Sequence, residues 1–248
     1  MAFTRCAGHH SDVRRPNHYC PIAAAVEALG GRWTILILYE LLQGTRHFNE
    51  LERGLPGISR SVLAERLRFL ESEKLIVRTV EGQRRGYVLS PSGRDLRDVI
   101  IALARWGARW ALTEPLPRQL DPAFLVWSMH HRIRRDRMPE GQTIVEFRFS
   151  GCNRRRVWLV WRKGEASVCL KHPGFDTDLV IDTNGSSLFE VWVNRVRLAD
   201  EIRAGRITAE GPRVLVRNWA EWFDWPDLPE PETADLRRPV HWESAKEA

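Results

Sequence analysis

The segment Pro56-Gly57-Ile58-Ser59, followed by Leu63, Leu67 and Leu70, constrains the fold more than any other part of the chain. A serine at the N-cap accepts from the first free amide groups of a helix, and apolar residues three and four apart share one helical face. A helix starting after Ser59 therefore buries that leucine stripe. At about 100° per residue, Ser61, Glu65 and Arg68 lie roughly opposite it, with Ala64 at the edge and Arg60 on the exposed first turn. After the helix, Leu75 to Val80 is β-rich, Glu81 to Gly86 is a turn carrying Arg84 and Arg85, and Tyr87-Val88-Leu89 returns as a second strand.

Helix, turn, helix and a hairpin with a cationic tip, spread over Leu41 to Gly93, make the layout of a winged helix. The face of Ser61, Ala64, Glu65 and Arg68 is small, polar and cationic, and suits a major groove. Arginine there bonds guanine in bidentate fashion, worth about 1–3 kcal/mol of discrimination, and Ala64 can touch a thymine methyl. Glu65 repels phosphate, and fits only as an acceptor for cytosine or as the ion-pair partner of a neighbouring arginine. Arg66 leans toward the buried stripe and takes a supporting role. From the hairpin, Arg84 and Arg85 reach phosphate or the minor groove, although a plain solvated loop has the same composition.

An ordered series of motifs runs through the same region: Cys20-Pro21, Leu29-Gly30-Gly31-Arg32-Trp33-Thr34, Glu40-Leu41-Leu42, Arg46-His47-Phe48-Asn49-Glu50-Leu51 and Leu55-Pro56-Gly57-Ile58-Ser59. It continues through Leu63, Arg66-Leu67, Leu70-Glu71, Tyr87-Val88-Leu89-Ser90 and Gly93 to Trp106. In these motifs the chain resembles the HxlR-type bacterial transcription regulators, relatives of the MarR group. The resemblance implies a dimeric winged-helix repressor or activator. It assigns Ser59 to Arg68 to the recognition helix, Gln83 to Tyr87 to the wing tip, and Thr45 and Arg46 to phosphate. In such proteins a cysteine at the Cys20 position often senses oxidants or electrophiles; a structural cysteine at the dimer contact is the alternative. From Ser92, the residues Leu96, Val99, Ile100, Leu103, Trp106 and Trp110 form an apolar stripe longer than a small winged helix can cover. With Ile22, Val26 and Leu29 it is expected to pack against its mate in a second subunit.

A length of 248 residues favours two domains. The net charge of +6 sits almost entirely before residue 115, in the half that resembles a DNA reader, and double-stranded DNA is the expected partner. No apolar run reaches the roughly 20 residues of a membrane span and no signal peptide is recognisable, so a cytoplasmic protein without a membrane partner is expected. The cysteines Cys6, Cys20, Cys152 and Cys169 are too scattered for a disulfide framework. Cys6, His9, His10, His18 and Cys20 match no common zinc spacing, so residues 1–18 read as a flexible basic tail and no metal is expected. Without a glycine-rich phosphate loop, HExxH or GxSxG, neither an enzyme nor a cofactor is expected.

Residues 19–114 read as the winged-helix and dimerisation domain, residues 115–225 as a second domain, and residues 226–248 as an acidic, proline-rich tail. The prolines Pro115 and Pro117 mark the linker. Asp121-Pro122 opens a helix, β-patterned runs follow at 143–149, 156–162, 166–171 and 179–182, and helices are expected over 186–198, 199–204 and 212–223. The whole is α+β, the second half being a four- or five-stranded sheet with helices over one face. The stretch Asp178 to Thr183, the helix with Leu188 and Trp192, and Ile202 to Gly211 resemble the sterol-carrier-protein-type lipid-binding domain. That resemblance implies an apolar tunnel between sheet and helices for a small-molecule effector. Seven of the 11 tryptophans lie between Trp127 and Trp225, and Trp127, Phe147, Phe149, Trp158, Trp161 and Trp192 are the candidates to line the tunnel, core filling being the competing role. The chain then reads as a homodimeric repressor of a palindromic operator, controlled by an apolar effector. The alternatives are a thiol-redox regulator acting through Cys20, and an enzyme or lipid-binding protein that uses the winged helix only to dimerise.

Overall fold

The computed structural model describes residues 19–81, 84–112, 120–151, 156–226 and 228. The first unit comprises α1 (Pro21–Leu29), α2 (Thr34–Leu42), α3 (Phe48–Gly54), α4 (Arg60–Ser72), the antiparallel hairpin β1 (Ile76–Glu81) and β2 (Arg84–Leu89), α5 (Pro91–Asp95), α6 (Arg97–Trp106) and a π-helical turn, Gly107–Ala111. The Ser59 hydroxyl accepts from the Val62 amide at 3.3 Å, and Leu63, Leu67 and Leu70 are buried against Ile37, Leu38 and Leu51, as cap and stripe predict. Where α5 meets the hairpin, a β-carbon on Gly93 would collide with the Leu75 carbonyl, so only glycine permits that approach. The long helix expected from Ser92 is instead broken at Leu96. Leu96 and Ile100 pack on the core of their own domain, because two short helices can each turn an edge inward.

In the second unit, the Asp121 carboxylate accepts from the Ala123 amide at 2.9 Å and starts α7 (Pro122–His130). A 3₁₀ turn, Arg135–Arg137, leads to a five-stranded sheet of β3 (Gln142–Ser150), β4 (Arg156–Arg162), β5 (Glu165–Cys169), β6 (Leu179–Asn184) and β7 (Ile207–Glu210), in spatial order β5-β4-β3-β6-β7. Only β3 and β6 run parallel; the other neighbours are antiparallel. The helices α8 (Gly185–Trp192) and α9 (Leu198–Arg203) link β6 to β7, and α10 (Arg213–Asn218) with a 3₁₀ turn, Trp219–Trp222, follows. The single helix expected over 186–198 ends early because Asn194 adopts a left-handed φ of 61°. Among the described residues, no single helix is long and apolar enough to cross a membrane, and no group of three His, Cys, Asp or Glu side chains is placed to hold a metal ion.

The six aromatic residues expected to line a tunnel do not share one cavity, although two of them, Trp127 and Trp161, both border the cleft between the two units. Phe147 and Phe149, stacked with centroids 6.4 Å apart, and Trp127 belong to the packed core between sheet and helices, where Trp219, Trp222 and Phe223 occupy the space a tunnel needs. Strand alternation puts Trp158 on the opposite face of the sheet, in a small cluster with Ile144 and Val160. Trp161 is buried with its indole N–H donated to the Pro139 carbonyl at 3.2 Å, and Trp192 stands half-buried with its ring 6.1 Å from that of Trp225. Large rings on both faces of a covered sheet are spent on packing.

The two units meet across a buried polar knot. Oε2 of Glu40, on α2, accepts from the Thr45 hydroxyl at 2.9 Å and from the Trp127 indole N–H of α7 at 3.3 Å. Having donated its only proton, the Thr45 oxygen must accept from His131 Nε2 at 3.2 Å, which places the hydrogen of that imidazole on Nε2. His131 Nε2 lies 3.5 Å from the same Glu40 oxygen. The last turn of α3 comes so close that a β-carbon on Gly54 would collide with the Glu40 carboxylate and lie 2.7 Å from the Trp127 indole nitrogen. A second tie joins Arg195 to the Leu112 carbonyl at 2.8 Å.

Truncating Glu40 strands two buried donors, so Glu40→Ala is expected to lower unfolding stability by about 3 kcal/mol, with Glu40→Gln costing less, as read by urea denaturation. His130 sets a pH dependence at the same junction. Burial, helped by neighbouring His131 and opposed by the hydrogen bond of Nδ1 to the Trp127 carbonyl, pushes its pKa down from 6.5 to about 4. The folded state therefore takes up the proton less readily than the unfolded chain. The resulting stability is complete above pH 6.5 and is lost as the pH falls through about 4, at most about 3 kcal/mol in all. Urea midpoints at pH 7 and pH 4.5 should show this loss, and His130→Asn should flatten it.

Candidate nucleic-acid interface

The helix pair α3–α4 and the β1–β2 hairpin form one edge of the first unit. Glu50 reaches back to accept the His47 amide at 3.3 Å, which caps the start of α3. His47 Nδ1 lies 3.1 Å from the Arg85 carbonyl, and since a carbonyl only accepts, the imidazole donates. The Tyr87 amide donates to the Arg46 carbonyl at 2.9 Å. These two bonds pin the hairpin to the entry of α3 and bring Arg46, Arg84 and Arg85 to the same edge, all three exposed. The sequence reading passed over His47; the signal was its spacing to Glu50 at a helix start.

On α4 the exposed face is that expected: Ser61, Glu65 and Arg68 face solvent and Ala64 is half-buried. Its cations divide into two groups. Arg60, expected at the groove, is committed to α3 through an ion pair with Glu52, a hydrogen bond to Asn49 Oδ1 at 3.2 Å and the Phe48 ring, whose centroid is 4.9 Å from the guanidinium. It clamps the helix pair. Arg66 lies 3.5 Å from Glu65 and 5.9 Å from the Phe69 ring centroid, so Glu65 has its neighbouring arginine. Arg78 likewise ties β1 to Glu71 of α4 at 2.9 Å. By contrast Arg68, Arg84 and Arg85 have no carboxylate within ion-pair distance among the described residues.

Two expected contacts fall elsewhere. Thr45, 3 % exposed, lies in the interdomain knot with its hydroxyl bonded on both sides, and cannot reach a phosphate. Ser59 spends its hydroxyl on the helix cap and on Ser61 Oγ at 3.0 Å. Gln83 of the wing tip lies outside the described residues, with Cys6, Cys152, the tail 1–18 and all of the tail 226–248 except Pro226 and Leu228.

Comparison with known proteins bears on what this edge does. Residues 28–115 match the HxlR-like helix-turn-helix family model. Over 110 residues the chain is 36% identical to the HTH-type transcriptional regulator YvaP of Bacillus subtilis (strain 168), covering 43% of this chain and 94% of that relative. The chain belongs to the HxlR-like helix-turn-helix family. It is 40% identical over 96 residues to the HTH-type transcriptional regulator sll1512 of Synechocystis sp., covering 38% of this chain and 71% of the relative. The reduced form of the transcriptional regulator YodB from B. subtilis is 33% identical and superposes with a TM-score of 0.33, covering 36% of this chain and 92% of that structure. The family match ends at residue 115, so the sheet domain lies beyond it.

An HxlR-like chain is thereby a transcription regulator, and relatives of this type are usually dimers. The residues expected to dimerise fall in two sets. Ile22 (71 % exposed), Val26 (60 %), Leu103 (43 %) and Trp106 (57 %) are large apolar side chains open to solvent on α1 and α6. Ile100 is buried in its own core, Leu96 packs against that core, and Trp110 is half-buried with the Arg109 guanidinium 5.1 Å from its ring centroid. Cys20 is a free, exposed thiol at the N-cap of α1.

The division of arginines predicts different stability effects. Arg60→Ala should lower stability by about 0.5–1 kcal/mol through loss of an exposed clamp, whereas Arg68→Ala should change it by less than about 0.5 kcal/mol in urea titration.

Proposed function

We propose that this regulator binds a palindromic operator as a homodimer, with α4 in the major groove and the β1–β2 hairpin along the backbone. The observation that carries this reading is the set of three arginines, Arg68, Arg84 and Arg85, that stand on one edge beside the polar face of α4 without a carboxylate partner among the described residues. Unpaired guanidiniums concentrated on one edge suit phosphates and guanine. Arg46 at the entry to α3 adds phosphate affinity, and Ser61 and Ala64 complete the face turned to base edges. The protein works beside the chromosome, in the cytoplasm.

The apolar surface of Ile22, Val26, Val99, Leu103 and Trp106 supports dimerisation, since clusters of large exposed apolar residues mark association surfaces. A two-fold dimer reads half-sites about 34–36 Å apart or a multiple of that spacing. Residues 19–114 serve as the DNA-binding and dimerisation domain. Residues 115–225 serve as a sterol-carrier-like domain, a reading supported by helices packed on one face of the five-stranded sheet. That domain carries the response to a small molecule, whose binding shifts the balance between repressing and released states. A second reading, control through a thiol, is favoured by the exposure of Cys20 beside the apolar α1 surface.

Fluorescence anisotropy on a symmetric operator fragment tests the reading. Each of Arg68→Ala, Arg84→Ala and Arg85→Ala should reduce the salt slope of log K by about 1, and Arg68→Ala should also relax sequence preference. Salt-independent affinity would point to a protein partner instead. Ile22→Glu with Trp106→Glu should shift sedimentation from dimer to monomer and weaken operator binding about 100-fold or more, as half-sites lose their linkage.

A further inference from the structure

We propose that the cleft between the winged-helix unit and the sheet unit binds a small aromatic carboxylate, held by Arg53 from one side and Arg135 from the other. The cavity measures about 300 Å³, at the lower end of small-molecule sites, and is walled by both units. It lies beside the filled space between sheet and helices, and two of the residues expected to line an effector site, Trp127 and Trp161, border it.

The charge of the walls favours an anion. Arg53, in the last turn of α3, and Arg135, in the 3₁₀ turn after α7, are both exposed, and neither has a carboxylate within ion-pair distance among the described residues. Of the two acidic side chains on the walls, Glu50 is spent on the cap of α3, and Glu165 stands exposed at the rim, at the start of β5. A planar carboxylate matches the donor fork of a guanidinium, and two forks from separate domains hold it more tightly than one.

The remaining wall favours a ring. Trp127, His130 and His131 form a mutual cluster with centroids 4.4, 5.2 and 3.9 Å apart. One nitrogen of each ring is bonded inward, that of Trp127 to Glu40, that of His130 to the Trp127 carbonyl and that of His131 to Thr45, which fixes the three rings as a surface that need not reorganise for a guest. Burial keeps His130 neutral at pH 7, and with Nδ1–H donated to the Trp127 carbonyl its Nε2 remains an acceptor.

Occupancy would be felt at the DNA edge through one helix. Arg53 lies on α3, and the same helix carries Asn49 and Glu52, which hold Arg60 at the start of α4. A guest bridging Arg53 to Arg135 fixes the distance between α3 and α7, and whichever spacing it prefers biases the α3–α4 pair. Linkage requires that operator DNA change the guest's affinity by the factor the guest changes the operator's. This coupling rests on the operator-binding reading above; the binding itself does not.

Isothermal titration of the full-length chain with benzoate, 2-naphthoate, benzamide and cyclohexanecarboxylate tests the site. At least one aromatic carboxylate should bind one per chain, with benzamide and cyclohexanecarboxylate at least tenfold weaker. Arg53→Ala and Arg135→Ala should each weaken binding tenfold or more, with circular dichroism and thermal midpoint unchanged, and Arg135→Lys should recover part of it. No saturable binding of either aromatic carboxylate, or binding indifferent to both alanine variants, overturns the proposal. Anisotropy with operator DNA then reads the coupling: the bound acid should shift operator affinity in the unaltered chain and not in Arg135→Ala. If the acid binds while no operator is bound, the site stands and the operator reading falls; if the operator binds and the acid does not, the reverse holds.

Discussion

The Glu40 carboxylate is the constraint on which the arrangement of the two domains depends. It is buried where α2, the entry to α3 and α7 converge, and one of its oxygens receives the Thr45 hydroxyl and the Trp127 indole. A buried charge without partners costs several kcal/mol, and here the partners come from both domains. Separating the units would leave the acid with half its donors. The junction is therefore specific in register as well as in contact, because apolar packing alone tolerates sliding and a carboxylate held by one donor from each domain does not. Gly54 completes the constraint, since a side chain there would hold α3 away from the knot.

From that fixed junction the arginines sort by function. Those with acidic partners are structural: Arg60 joins α4 to α3, Arg66 offsets Glu65, Arg78 ties the hairpin to α4, and Arg206 grips Glu201 with two bonds of 2.8 and 2.7 Å in the sheet domain. Among the described residues, two groups of arginines without a carboxylate partner stand out, one at the α4–hairpin edge and one at the interdomain cleft. A cation that the fold leaves unpaired in company with others is a site for an external anion, and the two clusters suit anions of different size. The α3 helix touches both, carrying Arg53 on the cleft and, towards the other cluster, Asn49 and Glu52, which hold Arg60 of α4.

Much of the first domain was legible in the sequence. Period, cap and turn chemistry are local, so the α4 stripe, the Ser59 cap, the hairpin and the supporting role of Arg66 all follow from residues near one another in the chain. The sheet count and the cap of α7 at Asp121 were legible for the same reason. What failed were statements about the far side of a residue. Thr45 looks like a phosphate anchor until His131, distant in sequence, is placed against it. Arg60 looks free until α3 presents Glu52. Ile100 belongs to an exposed-looking stripe, yet the break at Leu96 turns it inward. Of the six aromatic residues expected at a pocket, only Trp127 and Trp161 share a cavity, the interdomain cleft, and the space between sheet and helices is filled by Trp219, Trp222 and Phe223.

The sequence by itself therefore determined most of the elements, the family and the cationic character of the α4–hairpin edge, because these depend on short-range periodicity and on residue types in order. Only the tertiary structure decided which cations are spent and which are available, where the two domains lock, and that a cavity opens between them. The physical reason is that pairing and burial are properties of neighbours in space. Glu40, Thr45, Trp127 and His131 carry no shared pattern along the chain, and become one site when α3 and α7 close on each other.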